Sequence, residues 1–219
     1  MSVILSLLAI GGAMVPQDNP NPFVPIDHPI LHRKVAEVPV EEIRSAKIQE
    51  TIDYMLSLSR GERTDVNKKI MVGLAAPQIG IDLRIIIVDL VTGADRKDIG
   101  HDLQAFINPK ITWASDEMDR GREGCYSAGD FGGIVPRSVS VQISAYDREG
   151  NLVEKKFDGF TARIFQHEID HLNGIRFPDR LEEGAELHLV LEEDYPEYRE
   201  HWEHWHKTIS LEEWKKLSE

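Results

Sequence analysis

Apolar and polar positions alternate with different periods along the chain, and each change of period marks an element. Between Val40 and Ser59, Ile43, Ala46, Ile52, Met55 and Leu56 recur at helical spacing, and Glu41 and Glu42 suit a first turn. The segment therefore reads as a helix. Ser57 to Lys69 is polar and charged and reads as an exposed loop. Arg84 to Val91 (RIIIVDLV) is a β-branched run, the pattern of a buried strand. Ala105 to Thr112 reads as another strand, interrupted at Pro109. Val139, Val141, Ile143 and Ala145 alternate with polar residues, and the turn from Asp147 to Asn151 leads into Leu152-Val153, which makes a hairpin. From Thr161 to Asn173 the period becomes helical, with Ala162, Ile164, Phe165, Ile169 and Leu172 apolar, Thr161 as N-cap and Gly174 as stop. Ser210-Leu211-Glu212-Glu213 has the form of a capping box opening a last short helix with Trp214 and Leu217. There is no internal repeat. A helix, several strands and a second helix predict an α+β fold with mostly antiparallel sheets.

The N-terminus admits two readings. Val3 to Val15 is apolar and resembles the core of an export signal, but no Lys or Arg precedes Arg33, so the expectation is a cytoplasmic protein with an apolar N-terminal arm. Five prolines between Pro16 and Pro29 make the next stretch an extended surface segment. With 219 residues the chain suits one large domain. No apolar run reaches the roughly 20 residues of a membrane-spanning helix. The net charge of −13 argues against loose binding to nucleic-acid phosphates. Cys125 is the single cysteine, which excludes an intrachain disulfide and fits a reducing compartment, or a reactive or metal-bound sulfur.

The chemistry concentrates in the second helix. His167-Glu168-Ile169-Asp170-His171 puts two imidazoles one turn apart on one face, so both reach one metal ion. Glu168 sits where a carboxylate acts on metal-bound water as a general base, not as a ligand. A surface histidine pair is the alternative, but Ile164, Phe165, Ile169 and Leu172 place this helix in a core, where unpaired polar groups are costly. The expected fold thus becomes mostly antiparallel sheets packed around a central metal-binding helix.

The third ligand stays open at this level. Extending the pattern reaches Phe177 where metzincin proteases carry a third histidine, and phenylalanine cannot ligate. One source is a downstream glutamate, Glu182, Glu183 or Glu186, as in glutamate-liganded zinc peptidases. The other is Cys125, in Glu123-Gly124-Cys125-Tyr126-Ser127; a thiolate and two imidazoles leave a position for water.

Three segments in order resemble the motifs of the peptide deformylase family: Gly73-Leu74-Ala75-Ala76-Pro77-Gln78, Glu123-Gly124-Cys125-Tyr126-Ser127, and Gln166-His167-Glu168-Ile169-Asp170-His171-Leu172-Asn173-Gly174. Asp27-His28-Pro29-Ile30-Leu31 and Val135-Pro136-Arg137 resemble smaller family segments. The likeness spans about residues 24–181, leaving an arm (1–23) and an acidic helical tail (182–219) on a single domain. It implies a hydrolase that removes the formyl group from the N-terminal formyl-methionine of new polypeptides, releasing formate. It further implies that Cys125, His167 and His171 hold one divalent metal, iron(II) natively, with nickel, cobalt or zinc able to substitute. Glu168 would take the proton of the attacking water and pass it to the leaving amine. The Gln78 amide and the Tyr126 backbone N–H would face the developing oxyanion. Gly73 would let backbone approach the substrate, Glu123 and Gln166 would support the site, and Val72, Phe160 and Ile164 would suit a pocket for the methionine side chain. A zinc peptidase, or a non-catalytic binder on the same fold, are the competing classes; intact Glu168 and Gln78 argue against the binder.

Two departures from the motifs bear on the cleft. Met71 stands where the family usually has glycine, and Ala128 to Gly133 holds three glycines that suggest a mobile loop. The tail carries twelve acidic and four basic residues, so any ribosome association is expected to be transient and to use other surfaces. His201, His204 and His206 lie among Trp202 and Trp205, most simply as an amphipathic helix surface.

Overall fold

The computed structural model describes residues 21–62, 70–93 and 99–218. The apolar run from Val3 to Val15 and residues 63–69 of the polar stretch lie outside the described residues. The elements with regular backbone are α1 (Ala46–Ser59), β1 (Gly73–Ala75), β2 (Ile85–Asp89), β3 (Leu103–Ala114), β4 (Met118–Gly124), β5 (Phe131–Ser138), β6 (Ser140–Tyr146), β7 (Leu152–Asp158), α2 (Gly159–Leu172), β8 (Glu186–Leu189), α3 (Tyr195–His201), β9 (Thr208–Ser210) and α4 (Leu211–Leu217). One sheet runs β1-β2-β3-β6-β7 and the other β4-β5-β8-β9, with antiparallel neighbours throughout. The α+β expectation with antiparallel sheets holds.

Strand β2 shows why an unbroken apolar run forms here. Ile85 and Ile87 pack with α1 residues Ile48, Ile52 and Met55. Ile86 and Val88 point the other way and pack with α2 residues Ile164, Phe165 and Ile169. Both faces of the strand are covered, so neither register position is polar. Phe165 of α2 meets Phe106 and Phe157 of the sheet edge-on or tilted, with the three centroids 4.4–6.4 Å apart.

Several boundaries differ from the sequence reading. Only Ala46–Ser59 of the first segment is α-helical; Val40–Glu42 is a separate 3-10 turn, and Ser45 caps α1 by accepting from the Ile48 N–H. Strand β3 continues past Pro109 through a register shift, with Asn108 at φ 52°. The Asn108 side chain takes the place of a strand neighbour: it accepts from Val38 N (2.9 Å) and donates to Val38 O (2.8 Å). Helix α2 starts at Gly159, before Thr161, because β7 runs directly into it at Asp158. Gly174 does end it, at φ +73°, and a Cβ there would lie 2.4 Å from the Arg33 backbone nitrogen.

Two expectations are corrected outright. The glycine-rich segment is not a loop throughout: Phe131–Gly133 opens β5, pairing with β4 and β8. The acidic tail is not only helical, since β8 and β9 extend that same sheet. Its last helix follows the sequence reading, with Ser210 and Glu213 forming a reciprocal capping box. Trp205 and Trp214 are buried within the domain. No helix among the described residues is long and apolar enough to cross a membrane.

Candidate metal and catalytic site

Helix α2 presents two faces. Its apolar side lies on the β2 and β3 strands, while Arg163, His167, Asp170 and His171 turn toward the β4–β5 sheet or its flanks. Cys125 leaves the end of β4 and opens the 3-10 turn Tyr126–Ala128, which carries it to that second side. Its Sγ and one ring nitrogen from each of His167 and His171 lie within 4.8 Å of one another; among the described residues, no other group of three metal-capable side chains gathers this way. Of the candidates for a third ligand, Cys125 is the one that lies beside the histidine pair. Glu182, Glu183 and Glu186 are exposed, and Glu182 pairs with Arg120 at 2.6 Å. Phe177 is buried and stacks on His167 at 6.4 Å, so the metzincin-like position serves as packing. The tail histidines join no such group.

The donor set fits a divalent cation. His167 Nδ1 sits 2.9 Å from Glu123 Oε2, which orients the ring and leaves Nε2 facing His171 Nε2 at 3.2 Å. Two imidazole nitrogens and a half-buried thiol sulfur that converge form a soft, nitrogen–sulfur set suited to zinc, iron, nickel or cobalt. Burial pushes His171 well below its usual range, which keeps it in the neutral form a ligand needs. Burial also pulls His167 down, but its contacts to Cys125 and Glu123 outweigh this and raise it. Glu168 is buried, its Oε2 has no hydrogen-bond partner, and desolvation pushes it up to about 7.

The surroundings hold these groups in place. A Cβ on Gly73 would lie 2.3 Å from Glu168 Oε1 and 2.9 Å from Ile164 Cγ2, so the space left by the missing side chain is taken by the glutamate. Gln78 lies in the 3-10 turn Ala76–Ile79 and accepts from the Ala75 N–H through Oε1 at 2.7 Å. That bond fixes the amide plane; among the described residues nothing accepts from its Nε2. Tyr126 directly follows Cys125 at the start of its turn. Gln166 binds both backbone groups of Ser138, accepting at 3.1 Å and donating at 2.9 Å. Val72, Phe160 and Ile164 all belong to the apolar cluster around α2. Met71 packs instead into the cluster beneath α1, so its side chain is absorbed by core.

Sequence reasoning missed an ionic network behind the histidines. Arg137 donates to both Glu123 oxygens (3.0 and 2.9 Å) and to Asp170, Arg163 donates to Glu123 at 2.8 Å, and Arg180 reaches Asp170. Burial alone would raise Glu123, but the bonds from His167 and Arg137 hold it far below the usual carboxylate range. Arg163, one turn before His167, was the available signal: a charge on a helix face otherwise destined for a core.

A thiol–imidazole triad with a buried carboxylate at its side is the arrangement of a metal-dependent hydrolase. The polypeptide deformylase family model matches residues 20–186. Peptide deformylase 2 of Nostoc is 37% identical over 182 residues, covering 80% of this chain and 93% of its own. The Met-Ala-Ser-bound class I type b peptide deformylase of Acinetobacter baumannii superposes with a TM-score of 0.62 at 37% identity, covering 70% of this chain and 93% of the other. A Synechococcus elongatus peptide deformylase in complex with actinonin gives a TM-score of 0.63 at 31% identity, over 78% of this chain and 84% of the other. The chain belongs to the peptide deformylase family. Its function is the family's: metal-dependent removal of the formyl group from the N-terminal formyl-methionine of new polypeptides, with release of formate.

Proposed function

We propose that Cys125, His167 and His171 hold one divalent metal ion and that Glu168, Gln78 and the Tyr126 backbone N–H carry out the hydrolysis beside it. The convergence of Sγ and two ring nitrogens next to the partnerless Glu168 Oε2 carries this reading. These three side chains would hold iron(II) natively, with nickel, cobalt or zinc as substitutes, and the bound ion would supply Lewis acidity to the site. Glu168 takes the proton of the attacking water at its Oε2 and delivers it to the departing amine; a carboxylate near neutral pKa suits both transfers. Gln78 donates from Nε2 to the oxygen that becomes negative, and the Tyr126 N–H is the second donor. Val72, Phe160 and Ile164 supply the apolar wall for the methionine side chain.

Two sheet edges favour an extended peptide. Strand β1 is at the edge of one sheet and β4 at the edge of the other, and they carry Gly73 and Gly124. A nascent chain adds to such an edge through its backbone, which accepts many sequences after the methionine. The protein is assigned to the cytoplasm on the lack of basic residues before Arg33, and its acidic tail suits only transient contact with the ribosome. The test is anaerobic formate release from an N-formyl-Met tripeptide by iron(II)-loaded protein. Glu168→Ala should lower turnover by about 1,000-fold with metal content unchanged. Equal rates for variant and wild type would refute the assignment.

A further inference from the structure

The family model stops at residue 186, yet the site's cysteine turn is held by a residue well beyond it. Trp214, on α4, is fully buried, and its indole Nε1 donates to the carbonyl of Ala128 at 3.3 Å. Ala128 closes the turn that Cys125 opens: its own N–H donates to the Cys125 carbonyl at 3.0 Å. The indole therefore fixes the far end of a turn whose near end bears the sulfur. Cys125 itself packs against the cluster formed by Ala128, Val135, Phe177, Leu187 and Trp214. Phe177 of that cluster stacks on His167. One apolar group thus backs two of the three residues at the metal site.

The other face of the indole is clamped. The buried Arg176 guanidinium lies 4.4 Å from the Trp214 ring centre, donates to the Ile26 carbonyl at 3.0 Å and reaches Ser218 Oγ at 3.4 Å. Arg176 follows α2 by a short turn, so the exit of the metal helix, the N-terminal segment and the end of the tail meet at one side chain. The Ser210–Glu213 box starts α4 at a defined place and sets the register that delivers Trp214 there.

We propose that Trp214 is a positioning residue for the metal site: its indole N–H sets the Cys125–Ala128 turn, and through it the thiolate and the Tyr126 N–H. This rests on Cys125 being a ligand. It makes the tail, outside the family model, part of the catalytic architecture.

The test uses the full-length protein with cobalt(II) as probe. Trp214→Phe keeps an aromatic ring in the cluster and removes the indole donor together with part of the ring's volume. The expected result is about tenfold weaker cobalt retention against a chelator and a shifted thiolate-to-cobalt absorption band. In the iron(II) enzyme kcat should fall by a similar factor at constant KM, while the unfolding midpoint drops by a few degrees for the lost ring volume. Unchanged retention, band and kcat in Trp214→Phe would overturn the proposal and leave Trp214 as core alone. If that variant does not fold, Arg176→Lys loosens the clamp from the opposite side and carries the same readouts, a smaller shift supporting the proposal and none overturning it. Cys125→Ser runs beside them. Cobalt retention unaffected by Cys125→Ser would overturn the ligand assignment, and this proposal with it, whereas loss in Cys125→Ser without change in Trp214→Phe overturns the positioning role only.

Discussion

At the scale of single residues, the site depends on what is missing as much as on what is present. Gly73 contributes no side chain, and Glu168 occupies the room this leaves. A methyl group cannot coexist with a carboxylate oxygen at 2.3 Å, so Gly73→Ala must displace Glu168 or shift β1. Displacement of about 1 Å in a proton-transfer group costs about 100-fold in rate. Gly73→Ala should therefore lose about that factor in formate release while keeping full metal content, since neither histidine nor Cys125 is touched. Metal analysis beside the kinetic assay separates the two; loss of metal in the variant would place Gly73 in ligand support instead. The motif resemblance implies that Gly73 lets backbone approach the substrate. The group found against it is the Glu168 carboxylate, which sequence does not reveal because that needs the distance between β1 and α2.

At the scale of elements, legibility followed the strength of the periodic signal. The RIIIVDLV strand, the β6–β7 hairpin and α2 each carry several apolar residues at one clear spacing, and each was readable. Strands β4 and β5 were not, since MDRGREG and FGGIVPRS are glycine-rich and polar, and they form because they pair with each other over seven registered positions. Their glycines read as flexibility, but Gly132 gives its space to the Tyr198 hydroxyl and Gly133 to Phe177 and Leu181. The β2–β3 connection shows a further non-periodic device. Asp89, buried at the end of β2, accepts from Thr92 Oγ1 and from the backbone N–H groups of Val91, Gly100 and Asp102. Burial favours its neutral form, yet these bonds outweigh burial and lower its pKa. A carboxylate with a lowered folded pKa stabilises above its unfolded value of about 3.9, and that contribution is lost as pH falls through the folded value. Asp89→Asn should thus destabilise by about 1–2 kcal/mol at pH 7 in urea unfolding, with the difference from wild type shrinking below about pH 4.

At the scale of the molecule, α2 joins two sheets by two kinds of force. Its apolar face is buried on one sheet by Ile164, Phe165, Ile169 and Leu172, and its polar face is tied to the other by Arg163, Gln166 and Asp170. The apolar face was legible from spacing; the ionic face was not, because opposite charges far apart in sequence show no period. Arg137 is the hinge of that second attachment, binding Glu123 on its own sheet and Asp170 on the helix while almost fully buried. Removing one partner from a buried ionic group costs about 3–5 kcal/mol, more than an exposed pair of the same length. Arg137→Met keeps much of the volume and removes the charge, so it should lower the unfolding midpoint by about 10 °C for a chain of this size. The metal site should suffer too, since Glu123 orients His167, and cobalt retention should weaken by about tenfold. The pH dependence identifies the cause. Glu123 contributes its stability above about pH 4.3 and loses it progressively on acidification toward its strongly lowered folded value. The gap between wild type and Arg137→Met should therefore narrow as pH drops below about 4 in the metal-free protein. A gap that stays constant into acid would assign the loss to packing of the arginine stem rather than to the charges that tie the helix to the sheet.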